Sequence, residues 1–168
     1  KISELFEILG EENLTKTHIN SNKGKFPVFS GQIENGGIFG FLNSYKYEET
    51  ILTWVTYGNS GHILKRSGKF NIGRNNCGLR PKNELISLDY IKFIAQPIFI
   101  DNVKGEKQKS LPQSIVKNIE IPIPIKNDGT YDIEVQSLIA EKYMKIDNVK
   151  NEISKELDKI LDTEIDYE

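Results

Sequence analysis

The chain has 168 residues, 38% hydrophobic and 27% charged, which suits one soluble domain with a real core and room for an appendage. Its single cysteine, Cys77, excludes an internal disulfide framework. With only His18 and His62 beside it there is no spaced Cys/His set, so no metal is expected. The net charge of −2 hides a split: residues 131–168 hold eleven acids and five lysines, a balance of −6, which leaves +4 on residues 1–130.

No apolar run approaches the roughly eighteen residues of a membrane-spanning helix. The opening KISELFEILGEEN lacks the basic-then-apolar order of a signal peptide, so a cytoplasmic location is expected. In chain order, Ser3–Leu9 has the spacing of a short amphipathic helix. From Phe26 to Pro124 short apolar runs alternate with Gly/Asn turns (FPVFSG, GGIFGFL, TILTWVTYG, HILKRSG), the pattern of strands and tight turns. Leu88–Gln96 predicts a second helix, ended by Pro97. Asn118–Ile125, with alternating prolines, predicts an extended run outside any central ladder. Trp54, Phe39, Phe41, Phe26, Phe29, Tyr90 and Phe93 are assigned to the core.

After the turn Asn127-Asp128-Gly129 the character changes. Asp132 is a candidate N-cap, and Glu134 suits the positive end of the helix dipole. No Gly or Pro follows up to Leu161, and Ile139, Ile146, Ile153 and Ile160 fall seven apart. Val135, Tyr143, Val149 and Leu157 fill the second seam or its neighbour, although Lys142 and Glu156 interrupt it. Ile139, Ile146, Val149, Ile153, Leu157 and Ile160 therefore form a candidate helix-packing stripe. A helix of about 28 residues is about 42 Å long. That exceeds the width of a small domain and predicts projection. The alternative is an amphipathic helix lying on its own domain. The expected division is a domain over 1–127 and a long helical segment over 128–168.

Catalytic sets are missing. Gly36-Gly37-Ile38-Phe39-Gly40 is followed by no Lys-Ser/Thr, and no glycine cluster sits between a strand and a helix as a cofactor loop requires. Glu48, Glu49, Glu84 and Asp89 are not spaced like the carboxylates of a Mg²⁺ nuclease. A Cys77–His62 nucleophile pair is conceivable, but a lone cysteine in Asn75-Asn76-Cys77-Gly78-Leu79 fits a half-buried strand residue better. Tyr57 to Lys82 holds six cations (Lys65, Arg66, Lys69, Arg74, Arg80, Lys82) and no acid. A phosphate-binding domain needs such a local basic face, although a solvated basic loop has the same composition.

Three motifs in order, Gly24-Lys-Phe-Pro-Val-Phe-Ser-Gly31, Asn35-Gly-Gly-Ile-Phe-Gly40 and Trp54-Val-Thr-Tyr-Gly58-Asn-Ser-Gly61, resemble the specificity subunits of Type I restriction–modification systems. Gly68-Lys-Phe70, Cys77 and Asp89-Tyr-Ile continue the pattern. Ile121-Pro-Ile-Pro124, Gly129-Thr-Tyr-Asp132 and Gln136-Ser-Leu-Ile-Ala140 resemble the family's lead-in to its spacer helix. Similar modules occur in Type IIG and BcgI-like systems. The resemblance implies an α+β fold: a β-rich target-recognition domain with short helices, then one long C-terminal coiled-coil helix. It implies a non-catalytic reader of one half of a split double-stranded DNA target. A methyltransferase subunit, and in some systems a motor-nuclease subunit, would be its partners. S-adenosylmethionine, Mg and ATP are expected only on those partners. Family members usually carry two such domains and two helices, so this chain corresponds to half, and a homodimer or pairing with a second half is expected.

Under that resemblance Lys65, Arg66, Lys69 and Arg74 are candidates for phosphate contacts or, for arginine, bidentate pairing to guanine. Asn59, Asn75 and Asn76 are candidates for adenine edges, and Tyr57 and His62 for stacking or a hydrogen bond. Lys104, Lys107, Gln108 and Lys109 form a second polar-basic stretch, in the segment that the family places near DNA. Two other readings stay open: a DNA-modifying enzyme fragment, either a methyltransferase or an endonuclease, and a protein-interaction module that binds no DNA.

Overall fold

The computed structural model describes residues 1–161, which form two four-stranded sheets, three short helices, a 3-10 turn at Glu34–Gly37, one 14-residue helix and one long C-terminal helix. The first sheet has the order β1-β8-β5-β6, with β1 Phe6–Leu9, β5 Ile51–Val55, β6 Ile63–Arg66 and β8 Asn76–Pro81, all antiparallel. The second has the order β3-β2-β7-β4, with β2 Lys23–Phe29, β3 Ile38–Leu42, β4 Tyr47–Glu48 and β7 Lys69–Ile72; its β2–β7 pairing is parallel. Helices α1 (Ile2–Leu5), α2 (Lys16–Ser21), α3 (Leu88–Asp101) and α4 (Gln113–Val116) are followed by α5, Ile133–Leu161.

All five residues of β5 are buried because both of its faces are covered. Side chains alternate across a strand. Leu52 and Trp54 face the larger core with α1 and α3, whose Tyr90, Ile91, Ala95 and Phe99 lie in the same cluster. Ile51 instead joins Leu9, Phe29, Tyr47, Phe70 and Ile72 between the two sheets. Trp54 meets Phe99 edge-on at 6.3 Å, and burial of such rings supplies much of the stabilisation.

The structure departs from the expected elements in definite ways. Ser3–Leu9 is not one helix: α1 ends at Leu5, and Phe6–Leu9 pairs with Gly78–Pro81 as β1. Ile2, Leu5, Phe6 and Leu9 fit either periodicity, and the β8 edge decides. Helix α3 runs through Pro97 to Asp101. Pro97 removes one N–H, but burial of Phe99 in the core offsets it, and the Asn102 side chain closes the end by donating to the Ile98 carbonyl at 2.9 Å. Asn118 closes the turn after α4, and residues 119–124 join no ladder, as the prolines predict, with one isolated bridge following, Ile125 to Tyr131. Among the aromatic residues, Phe41 is 45% exposed instead of buried.

Helix α5 begins where the turn and Asp132 place it: the Val135 N–H donates to the Asp132 carboxylate at 3.1 Å. Its first turns belong to the domain. Gln136 is fully buried, accepting from the Ser87 N–H at 2.9 Å and donating to the Leu85 carbonyl at 3.0 Å. Ala140 and Ile139 pack into the large core, and Tyr143 stacks on Phe93 at 5.5 Å. Ile139, expected on the seam, is thus used within the domain. The compact unit extends past residue 127 into the helix. From Ile146 onward the seam is bare, with exposures from 50% at Ile146 to 67% at Ile160. Residues 162–168 of the expected helical segment lie outside the described residues.

Candidate nucleic-acid interface

At one end of the two sheets the connecting loops converge. The β5–β6 loop (56–62) is stitched to the segment after α3: the Gly58 N–H and the Ser60 hydroxyl both donate to the Lys109 carbonyl, at 3.1 and 2.8 Å. The Leu111 N–H donates to Thr56 at 2.8 Å, and Trp54 Nε1 returns a bond to the Leu111 carbonyl at 3.0 Å. Lys104 and Ser110 exchange two backbone bonds, so Lys107 and Gln108 sit at the tip of a closed loop. Gly105 makes the reversal at φ +92; a Cβ there would stand 2.3 Å from the Gln108 oxygen, which only glycine avoids.

The β7–β8 turn joins the same end. The Thr56 N–H donates to the Asn75 carbonyl at 3.0 Å, and the Gly31 N–H donates to the Arg74 carbonyl at 3.1 Å. Asn75 adopts φ +60, a left-handed conformation that asparagine tolerates. The Glu11 carboxylate accepts from the Asn75 N–H, placing one acid beside this turn. Two clefts result. One, of about 420 Å³, is lined by Gly58, Asn59, Ser60, His62, Val103 and Lys109 among others. The other, of about 320 Å³, is lined by Ser30, Gly31, Gln32, Phe39, Arg74 and Asn75.

Tyr57, Asn59, His62, Arg74, Asn75, Lys104, Lys107, Gln108 and Lys109 are therefore exposed on one loop cluster. Among the described residues Arg74, Lys104, Lys107 and Lys109 have no carboxylate partner. His62 Nδ1 lies 2.9 Å from the Asn59 carbonyl, closing the tight turn.

Four expected residues are not on this exposed cluster. Ile51 pairs with Arg66, so Lys65, Arg66 and the Lys69 that follows the next turn lie toward the far end of the strands. Lys65 is bonded to Asp89 at 2.8 Å, and Lys69 lies 3.3 Å from Glu48 with its ammonium over the Tyr45 ring. Arg66 is 5% exposed. Its guanidinium lies 3.8 Å from the Phe29 ring centroid and donates to Thr53 Oγ1 at 3.1 Å and to the Gly36 carbonyl. Burial pushes its pKa down to about 10, so it remains charged at neutral pH. Asn76 is 1% exposed on β8. Neither Arg66 nor Asn76 can meet a duplex without the domain opening, because each is enclosed in the interior.

The loops are held by residues to which the motifs assigned no such role. Gln96 accepts from the Ile63 N–H and donates to the Gly61 carbonyl, both at 2.9 Å, so α3 fixes the end of the 56–62 loop. Trp54 and Ser60 fix the 104–110 loop. A lone Gln before a proline carries no sequence signal, whereas Gly31, beside Asn75, stands in the first glycine motif. Cys77 is buried with Gln113 Nε2 3.2 Å from its sulfur, and burial pushes its thiol pKa up, away from nucleophile chemistry. Among the described residues no three His, Cys, Asp or Glu side chains gather closely enough to hold a metal ion.

The model of the Type I restriction modification DNA specificity domain matches residues 1–162. The chain belongs to that family. The family model is that of a DNA specificity domain. Two relatives come from Mycoplasma pneumoniae. A type I specificity subunit is 31% identical over 161 residues, covering 94% of this chain and 42% of its own length. The specificity subunit of the type I restriction enzyme MpnII is 27% identical over 157 residues, covering 91% and 44%. This specificity domain thus spans less than half the length of those relatives. Among solved structures, a type I S subunit from M. genitalium aligns with TM-score 0.67 at 18% identity, over 92% of this chain and 40% of that one. The HsdS subunit from Thermoanaerobacter tengcongensis aligns with TM-score 0.67 at 14% identity, over 92% and 37%. At such identities the likeness is one of fold. Among the described residues no helix is long and apolar enough to cross a membrane.

Proposed function

We propose that this domain reads one half of a split double-stranded DNA target on behalf of a catalytic site carried by a partner subunit. The observation that carries the reading is the convergence of the 56–62, 73–75 and 104–110 loops, with unpaired cations beside Asn59, Asn75 and Gln108. Arg74, Lys104, Lys107 and Lys109 take phosphates, which set register, and the amide and imidazole side chains face base edges. The methyltransferase partner supplies S-adenosylmethionine chemistry, a motor-nuclease partner supplies ATP- and Mg-dependent cleavage, and the domain contributes no cofactor of its own. The bare stripe Ile146, Val149, Ile153, Leu157 and Ile160 pairs with a second such helix, from another copy or another half of the specificity protein, in the cytoplasm.

The test is duplex binding at several salt concentrations by Arg74→Ala, Lys104→Ala and Lys109→Ala in the specificity protein. Removing one cation from its phosphate should flatten the log–log slope by about 0.9. Wild-type slopes in all three variants would remove this loop cluster from the interface.

A further inference from the structure

A second groove, of about 360 Å³, lies between α2 and β3 and is lined by Lys16, Ile19, Asn20, Lys23, Phe39 and Phe41 among others. None of its lining residues is acidic, and residues 13–33 contain no Asp or Glu and carry Lys16, Lys23 and Lys25. None of these lysines has an ion-pair partner among the described residues. The ammonium of Lys16 stands 6.0 Å from the centre of the Phe39 ring, and that of Lys25 5.5 Å from Phe26, so aromatic faces rather than carboxylates support these cations. The floor is Phe39 with Phe41, 45% exposed. Phe39 is also a wall of the cleft that holds Gly31, Arg74 and Asn75. Phe39 thus borders both the groove and the loop-cluster cleft.

We propose that this groove is a second, sequence-neutral contact, holding the sugar–phosphate backbone of the DNA that flanks the half-target. A backbone strand offers what the groove lacks: anionic oxygens for Lys16 and Lys23, and apolar deoxyribose faces for Phe39 and Phe41. The cations have no internal carboxylate to release before they pair with phosphate, so the electrostatic gain is not offset by a broken ion pair. This inference rests on the proposed DNA reading, since it extends the same duplex beyond the loop cluster. Base reading is not part of the role, so the contact adds affinity and leaves the choice of target unchanged.

Two labelled duplexes test it, one limited to the target and one extended by a full helical turn on each side. Lys16→Ala/Lys23→Ala should bind the short duplex within about twofold of wild type. On the long duplex it should lose up to about 1.8 in salt slope and about tenfold in affinity. Phe41→Ser, at an exposed site that leaves the core intact, should weaken the long duplex alone. Arg74→Ala/Lys109→Ala should lose affinity for both duplexes, which separates failure of the proposed function from failure of this inference. Unchanged slope on the long duplex in the lysine double variant overturns the contact. Loss of an acidic protein partner from that variant, with both duplexes bound normally, overturns it in favour of peptide docking.

Discussion

Arg66 is the side chain whose position changes its meaning most. It sits in the acid-free run that predicts a basic face, yet its guanidinium is enclosed between the sheets against Phe29, Thr53 and Gly36. Its Nη2 has no hydrogen-bond partner there, so the network is one bond short and still holds the Asn35–Gly37 turn. Arg66→Ala should therefore destabilise the fold by about 2–3 kcal/mol, through poorer packing and the orphaned Thr53 and Gly36 acceptors. Thermal melting checks this, and Arg66→Lys should rescue little, because a point cation cannot span both acceptors. Normal melting with a flattened DNA salt slope would return Arg66 to the interface. Charge clustering in sequence locates cations along the chain but not across a sheet. On a strand of period two, Arg66 falls inward and Lys65 outward, where it meets Asp89.

At the scale of elements, the long helix and the glycine-punctuated strands were legible because each has its own period. The ends of elements were not. Phe6–Leu9 is a strand only because β8 offers an edge, and α3 passes Pro97 because Phe99 finds a core; both causes are tertiary. The turn that launches α5 was legible and has a titratable part. Asp128 accepts from the Thr130 hydroxyl at 2.7 Å and from its N–H at 2.9 Å, and these bonds hold its carboxyl pKa below the usual range. A depressed folded-state pKa contributes stability above the unfolded value and loses it as pH falls through the folded one. The turn should thus tighten from the acid side toward neutral pH. The protection factor of the Thr130 amide, its exchange rate divided into the intrinsic base-catalysed rate, should rise over that range, and Asp128→Asn should remove the rise. A protection factor that is flat with pH in the native chain would show that the carboxylate does not secure the turn.

For the molecule as a whole, the charge split is spatial only in part. The loop end and the α2–β3 groove carry cations with no carboxylate partner among the described residues. Helix α5, Ile133–Leu161, holds six acids against five lysines, and four of the C-terminal acids belong to residues 162–168, outside the described residues. The half of α5 beyond Ile146 buries nothing of its own domain, which leaves its apolar stripe free for the partner helix proposed above. Ile146→Asp/Ile153→Asp should abolish that pairing while leaving the domain's melting unchanged, as followed by sedimentation. An unchanged mass before and after substitution would assign the stripe to contacts within one chain. The loop residues proposed to read bases were the least legible part, since Asn59 and Asn75 owe their placement to backbone bonds that join their loops to Lys109, Thr56 and Gly31.

Gln136 links the two regimes. Because its amide is bonded inside the domain at both ends, α5 cannot swivel on a loose hinge; its azimuth is inherited from the core. One residue inserted between Gln136 and Ile146 would turn everything beyond it by about 100° and advance it by about 1.5 Å. The bare stripe would then face a different quadrant relative to the loop cluster, although no residue of either had changed. The segment from Gln136 to Ile146 therefore acts as a phase-setting shaft, in which length is the lesser variable and rotation the greater.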